Sequence, residues 1–179
     1  LEAILPPTLP VTDWSACAFR WRTRNGRGWL EDVRHPHAIR LTDLQGVEPQ
    51  KKRIEQNTRQ FVQGKSANNV LLTGARGTGK SSLVKAVLNQ FSRRGLRLIE
   101  VDKDDLVYLP DIVDLVFGRR EKFIIFCDDL SFEANELGYK AMKSLLDGSI
   151  TGMPENLLVY ATSNRRHLVP EYDSDNRGA

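Results

Sequence analysis

Cysteine is scarce in this chain of 179 residues: only Cys17 and Cys127 are present, far apart and without metal-ligand spacing. That excludes a disulfide scaffold and a zinc finger. Cys127 sits in an apolar run and reads as a buried thiol, which suits a reducing compartment. Histidine is nearly as rare. His35 and His37 flank Pro36, His167 stands alone, and with no cysteine near them all three read as structural rather than as metal ligands. No uninterrupted apolar run is longer than Phe123–Cys127, far short of the ~20 residues that a membrane-spanning helix needs. The opening Leu1 to Pro7 lacks an initiator Met and the basic, apolar and small-residue zones of a secretory signal. The polar ending, Asp173 to Ala179, closes no element. These features lead to the expectation of a cytoplasmic fragment of a longer protein. The net charge of +3 is mild; it accommodates an anionic ligand and does not by itself argue for nucleic acid. At 40% hydrophobic residues the chain can bury one domain core plus an appendage.

What is present is concentrated in one stretch: Gly74-Ala75-Arg76-Gly77-Thr78-Gly79-Lys80-Ser81. Its spacing is that of a phosphate-binding loop. Glycines let the backbone curl so that successive amide N–H groups face a polyphosphate. Lys80 adds a mobile positive charge, the Ser81 hydroxyl can ligate magnesium, and a helix opening here turns its positive end to the anion. A Gly-rich turn followed by a surface Lys-Ser would look similar, so the flanks decide. Val70-Leu71-Leu72-Thr73 reads as a strand buried on both faces. Leu83, Val84, Val87, Leu88 and Phe91 follow at the spacing of an amphipathic helix that stops at Gly95. The candidate nucleotide contacts are therefore Gly74 through Ser81 (including Ala75, Arg76, Gly77, Thr78 and Gly79), with Ser82 beside them.

Beyond the loop, strand and helix patterns alternate. Arg97–Val101, Phe123–Cys127 and Leu157–Ala161 read as strands. A helix begins near Pro110 with Ile112, Val113, Leu115 and Val116 on its apolar side and stops at Gly118. Another carries Leu137, Ala141 and Leu145 and ends near Gly148. The alternation predicts a parallel sheet covered by helices on both faces, with ligands at the carboxyl ends of the strands. The first forty residues differ. They hold Trp14, Trp21 and Trp29, and Ala16 to Leu30 contains four arginines and no acid. Asn25-Gly26 signals a two-residue hairpin, whose pairing would set Trp21 opposite Leu30 and Arg20 opposite Glu31 as an apolar contact and a charge pair. Two readings stand: a basic, aromatic ribbon that grips nucleic acid, or a hairpin docked on the main domain by its tryptophans.

The third strand ends in Asp128-Asp129. A carboxylate there can hold the water shell of a phosphate-bound magnesium ion, and the next acid can orient or deprotonate the attacking water. Either could instead cap the following helix. Glu133 competes with Asp129 for the water-activating role. The fourth strand ends in Ala161-Thr162-Ser163-Asn164, where the Asn164 amide could bond a terminal phosphate or water, or merely satisfy a turn. Arg165 and Arg166 read as solvated. No Asn-Lys-x-Asp guanine-reading motif is present, and a small-molecule kinase would gain nothing from Asn164 or the acidic pair.

The phosphate loop, Asp128-Asp129 and Asn164, in that order on successive strands, resemble Walker A, Walker B and sensor 1 of an AAA+ ATPase. Leu41-Thr42-Asp43-Leu44-Gln45-Gly46-Val47 resembles the segment that packs against adenine, which makes Gly46 and Val47 candidate contacts. The stretches 18–22, 33–37, 126–133 and 161–167 are similar to a bacterial family of predicted AAA+ ATPases catalogued as a domain of unknown function. The resemblance implies a three-layer α/β/α P-loop NTPase with a parallel sheet in the order 5-1-4-3-2, the fifth strand missing. It divides the chain into an N-terminal hairpin extension at 1–40 and a nucleotide-binding core at 41–179 that stops before an arginine finger and helical lid. It implies ATP and Mg2+ as cofactors, with Ser81 and Asp128 as metal ligands, Lys80 and Asn164 as catalytic residues, and Asp129 or Glu133 on the water. Related motors carry Glu where Asp129 stands. The expected partners are ATP or ADP, further copies of the intact protein, and a protein or nucleic acid that is moved or remodelled, with no membrane. The fragment alone is expected to bind nucleotide more readily than it hydrolyses it, which leaves a nucleotide-gated switch as the alternative to an engine.

Overall fold

The computed structural model describes residues 5, 7–34, 36, 38–131, 137–147 and 153–164. His35, His37, Glu133, Gly148, Arg165, Arg166 and His167 lie outside the described residues. Along the chain come β1 (Ala18–Arg24), β2 (Arg27–Asp32), α1 (Glu48–Val62), β3 (Val70–Thr73), α2 (Lys80–Phe91) and β4 (Leu96–Glu100). They are followed by α3 (Leu109–Val116), β5 (Lys122–Cys127), α4 (Leu137–Leu146) and β6 (Leu157–Ser163). The strands form one sheet in the order β2-β1-β4-β5-β6-β3. Among the described strands only the β1–β2 hairpin is antiparallel; every other pairing is parallel. Within it, β3-β6-β5-β4 reproduces the expected 1-4-3-2 part of the order and sets β6 between the strand that leads into the phosphate loop and the strand that ends in the acids.

The two-residue side-chain period of a strand feeds two cores. On β5, Phe123, Ile125 and Cys127 face a cluster built with Leu109, Ile112 and Val116 of α3 and Met142 and Leu145 of α4. Ile124 and Phe126 face the other cluster, with Ile54 and Phe61 of α1 and Leu83, Val84, Val87, Leu88 and Phe91 of α2. Each such fully buried side chain is worth about 1.5–3 kcal/mol over exposure. The apolar stripe of α2 is the one its spacing predicts, and the helix gives way to a short 3-10 turn, Ser92–Arg94, that ends at Gly95 with φ +91°. Two residues expected on apolar faces lie outside the cores: Leu115 and Leu137 are exposed.

Two expectations are corrected, and one helix was not foreseen. Among the described residues β3 pairs with β6 on one side only, and Leu71 is 43% exposed, so the strand is not buried on both faces. Helix α1 carries no expected pattern because its buried face reduces to Ile54, Thr58 and Phe61 in an otherwise polar sequence. In the hairpin, Trp21 does stand opposite Leu30 and Arg20 opposite Glu31. The ion pairs differ, however: Arg20 reaches across to Glu100 of β4 at 3.0 Å, and Arg22 takes Glu31 at 2.6 Å. Long side chains reach diagonal and next-strand partners as readily as the one directly opposite.

The hairpin is thereby part of the main sheet. β1 runs parallel to β4 over Ala18 to Arg20. Phe19 and Trp21 are buried in the α3/α4-side core, Trp14 packs edge-on to Phe123, and Arg119 lies over the Trp14 ring. Gly28 lies beneath the Trp21 indole, and a Cβ there would sit 1.8 Å from its ring. The tryptophan is held as packing, in the docked arrangement, rather than as an exposed stacking platform.

Two buried groups link this core to pH. Burial raises the Cys127 thiol from 9.0 to about 12. Burial also raises the Tyr160 phenol, opposed by its hydrogen bonding with Thr58 and Asn57. Both stay neutral in the fold at pH values where the unfolded chain ionises. The thiol's stabilisation is complete below about pH 9 and is lost as pH climbs toward about 12, and the phenol's is complete below its ordinary value of 10.0 and is lost as pH rises beyond it. At about 1.4 kcal/mol per unit, the thiol alone accounts for a loss on the order of 4 kcal/mol across that window. Denaturant midpoints measured from about pH 8 to about pH 11 should fall steadily, and Cys127→Ala should flatten the fall.

Candidate functional site

The loop between β3 and α2 closes around its own lysine. Lys80 Nζ donates to the carbonyls of Gly74 at 2.8 Å and Ala75 at 2.7 Å and to Thr78 Oγ1 at 3.3 Å. Thr78 Oγ1 in turn donates to the Ala75 carbonyl at 2.8 Å. Gly77 and Gly79 have φ of +82° and +85°, a region where a side chain would be strained. Helix α2 opens at Gly79 with no side-chain cap and no acid in its first turn. Its leading N–H groups and positive end are thus left for an external anion.

Across the sheet, β5 delivers Asp128 and Asp129 to the same end. Asp129 has φ +57°, a left-handed turn that Asp tolerates better than most residues. Asp128 Oδ1 accepts the Ser81 hydroxyl at 2.5 Å, joining two motifs that lie 47 residues apart. The same oxygen accepts the Thr162 hydroxyl at 2.6 Å, and Asp129 N–H donates to Thr162 Oγ1 at 2.9 Å. Asn164 Nδ2 donates to Asp129 Oδ1 at 2.8 Å, and Arg76 stands 3.8 Å from the other carboxylate oxygen. The acids therefore engage the other motifs through their side chains.

Arg76, Gly77, Gly79, Lys80, Ser81, Ser82, Asp128, Asp129, Thr162 and Asn164 line one open cleft of about 580 Å3. Residues 14–179 match the family described as "Protein of unknown function (DUF815)". The chain belongs to that family. No curated protein sequence matches it. Among solved structures, AMPPCP-bound DnaA from Aquifex aeolicus is similar, with a TM-score of 0.51 at 19% identity. The likeness covers 78% of this chain and 47% of that one, so the DUF815 chain spans about half the length of the structure it resembles. At this identity the likeness is one of fold.

Not every candidate joins the cleft. Gly46 and Val47 precede α1 and do not line it. The residues just before them, Ile39 to Thr42, instead face Ala86, Asn89 and Gln90 of α2 across a separate cleft of about 640 Å3. A third cleft, about 690 Å3, shares Asp128 and Asp129 and runs toward Arg20, Arg22 and Lys85 on one side and Asp102 to Asp105 on the other. Within it, burial raises the carboxyl of Asp105, the neighbouring Asp102 and Asp104 raise it further, and a bond from Thr23 opposes them. Thr162 is the residue that sequence reasoning missed. Its signal was a polar residue continuing a strand whose apolar run ends at Ala161, in a part of β6 that is wholly buried.

Proposed function

We propose that this protein binds Mg-ATP at the loop and hydrolyses it, coupling nucleotide state to the remodelling or movement of a macromolecular partner. The observation that carries the reading is the 2.5 Å bond between Ser81 and Asp128, which brings the phosphate loop and the acidic strand end to one point. The donor set fits the ligand. Gly77, Gly79 and the uncapped start of α2 offer backbone N–H groups to phosphate oxygens, and Lys80 carries its charge inside the loop. Ser81 and Asp128 would hold magnesium; so few protein ligands suit an ion that keeps waters and binds substrate phosphates. Magnesium, when bound, supplies charge neutralisation at the phosphate oxygens. Asp129 would accept a hydrogen bond from the attacking water, and Asn164 would fix the direction of that carboxylate. Glu133 remains the competing candidate for the water.

The nucleotide carried by the DnaA structure, AMPPCP, supports ATP as the ligand. We place the protein in the cytoplasm and expect the intact form to assemble with further copies of itself. Among the described residues no helix is long and apolar enough to cross a membrane. A second reading, a nucleotide-gated switch with little turnover, is favoured by one observation: the short Asp129 side chain is already engaged by Asn164 and Arg76. Titrating the intact protein with a fluorescent ATP analogue, with and without Mg2+, tests the common element of both readings. Saturable binding that Mg2+ tightens is expected; no binding at millimolar nucleotide would rule both out.

A further inference from the structure

We propose that Thr162 is a positioning residue, whose one buried hydroxyl fixes the carboxylate of Asp128 and the backbone of Asp129 together. The proposal rests on the reading of those two acids given above. Thr162 is 2% exposed in an interior strand flanked by β5 and β3. There a valine would pack equally well, and an unbonded hydroxyl would be costly. Both of its bonds go to the acidic turn. A hydroxyl has one hydrogen; Asp129 N–H already points at the oxygen at 2.9 Å, so that hydrogen is directed to Asp128 Oδ1 at 2.6 Å. The arrangement is reinforced on either side. Leu130 N–H donates to the Thr162 carbonyl at 2.8 Å, and Ser163 Oγ donates to the Leu130 carbonyl at 2.9 Å. Asn164 completes the set at Asp129 Oδ1. The tip of β6 thus grips residues 128–130 one after another, and among the described residues the Thr162 side chain alone is hydrogen-bonded to both acids.

Of the two hydroxyls on Asp128 Oδ1, that of Ser81 comes from the phosphate loop and would be drawn to a bound metal. The Thr162 hydroxyl comes from the sheet and stays. It therefore sets where Asp128 stands when magnesium arrives, and it holds the left-handed turn that aims Asp129 at Asn164.

The test compares Thr162→Val, which keeps shape and strand preference but not the hydroxyl, with Thr162→Ser, which keeps the hydroxyl. In Thr162→Val we expect nucleotide affinity without Mg2+ within about threefold of wild type. The Mg2+ concentration for half-maximal tightening should rise about tenfold or more, kcat should fall at least about tenfold with KM little changed, and the Asp129 amide should exchange hydrogen about tenfold faster. Thr162→Ser should restore each to within about threefold. Wild-type Mg2+ response and amide exchange in Thr162→Val would overturn the proposal. So would equal losses in both variants, accompanied by lower melting temperature and weaker Mg2+-free binding, since a merely structural residue would behave that way. If the wild-type protein shows no Mg2+-dependent nucleotide binding, the underlying reading fails and this proposal with it; a normal wild type beside an unaffected valine variant removes this proposal alone.

Discussion

Replacing Lys80 with Ala is expected to weaken Mg-ATP binding by about 100-fold or more while leaving the fold intact. The magnitude follows from charge-assisted hydrogen bonds to phosphate, each worth about 1.5–3 kcal/mol, made by a group that the loop has already positioned. The ammonium is held by the Gly74 and Ala75 carbonyls beside the glycines that would face the phosphates. The substitution therefore removes both the charge and the bonds that pull the loop into its curl. Stability should change little, because Lys80 is only partly buried and packs in neither hydrophobic cluster. Lys80→Arg is the instructive companion. Its charge is kept, but a planar fork cannot take the place of a compact ammonium ringed by two carbonyls and a hydroxyl, so affinity should still fall by at least about tenfold. Calorimetric titration with ATP and Mg2+, together with a melting curve for each variant, measures both halves. Unchanged affinity in Lys80→Ala would remove the loop from the site.

How much of this was legible in the sequence depends on whether the signal is local. The run at β5 and the helical spacing from Leu83 to Phe91 are local patterns of burial, and the structure follows them. Asn25-Gly26 is a local turn rule, and the hairpin register follows from it residue by residue. What failed depends on neighbours that sequence order does not reveal. The run Val70–Thr73 reads as buried on both faces, but Leu71 is exposed and, among the described residues, the strand pairs with β6 alone. Nothing within β1 announces that it lies along β4, which takes Arg20 to Glu100 rather than to Glu31. Helix α1 is held by a short apolar stripe, Ile54 and Phe61, and by a polar junction. The Tyr160 hydroxyl accepts from Asn57 at 3.0 Å and lies 2.7 Å from Thr58 Oγ1. Thr58 Oγ1 donates to the Ile54 carbonyl, so the phenol proton goes to Thr58. The same holds at the site. Lys80, Ser81, Asp128 and Asn164 stand in recognisable motifs, whereas the role of Thr162 exists only once β6 lies beside β5.

Asp129→Asn is the change expected to separate engine from switch. Asn matches Asp in shape and keeps an oxygen that can accept from Asn164, so the left-handed turn at this position and the cleft around it should persist. The exposed contact with Arg76 at 3.8 Å adds little and can be lost without cost to the fold. What disappears is the negative charge and the ability to take a proton from water. If Asp129 acts on water, kcat should fall about 100- to 10,000-fold with Mg-ATP affinity within about threefold of wild type, the signature of an interaction used in the transition state. Wild-type turnover that is already negligible and does not change in the variant would instead establish the switch. Rapid turnover that survives the substitution would move the water-activating role to another residue, with Glu133 the first to substitute. Asp129→Glu completes the argument. It restores the charge on a longer arm, but at φ +57° a glutamate lacks the short side chain that lets Asp occupy the left-handed region, and the Asn164 bond would have to be remade at a new distance. Partial activity in Asp129→Glu, above Asp129→Asn and below wild type, is therefore the expected order, and steady-state ATP hydrolysis by the three forms of the intact protein checks it.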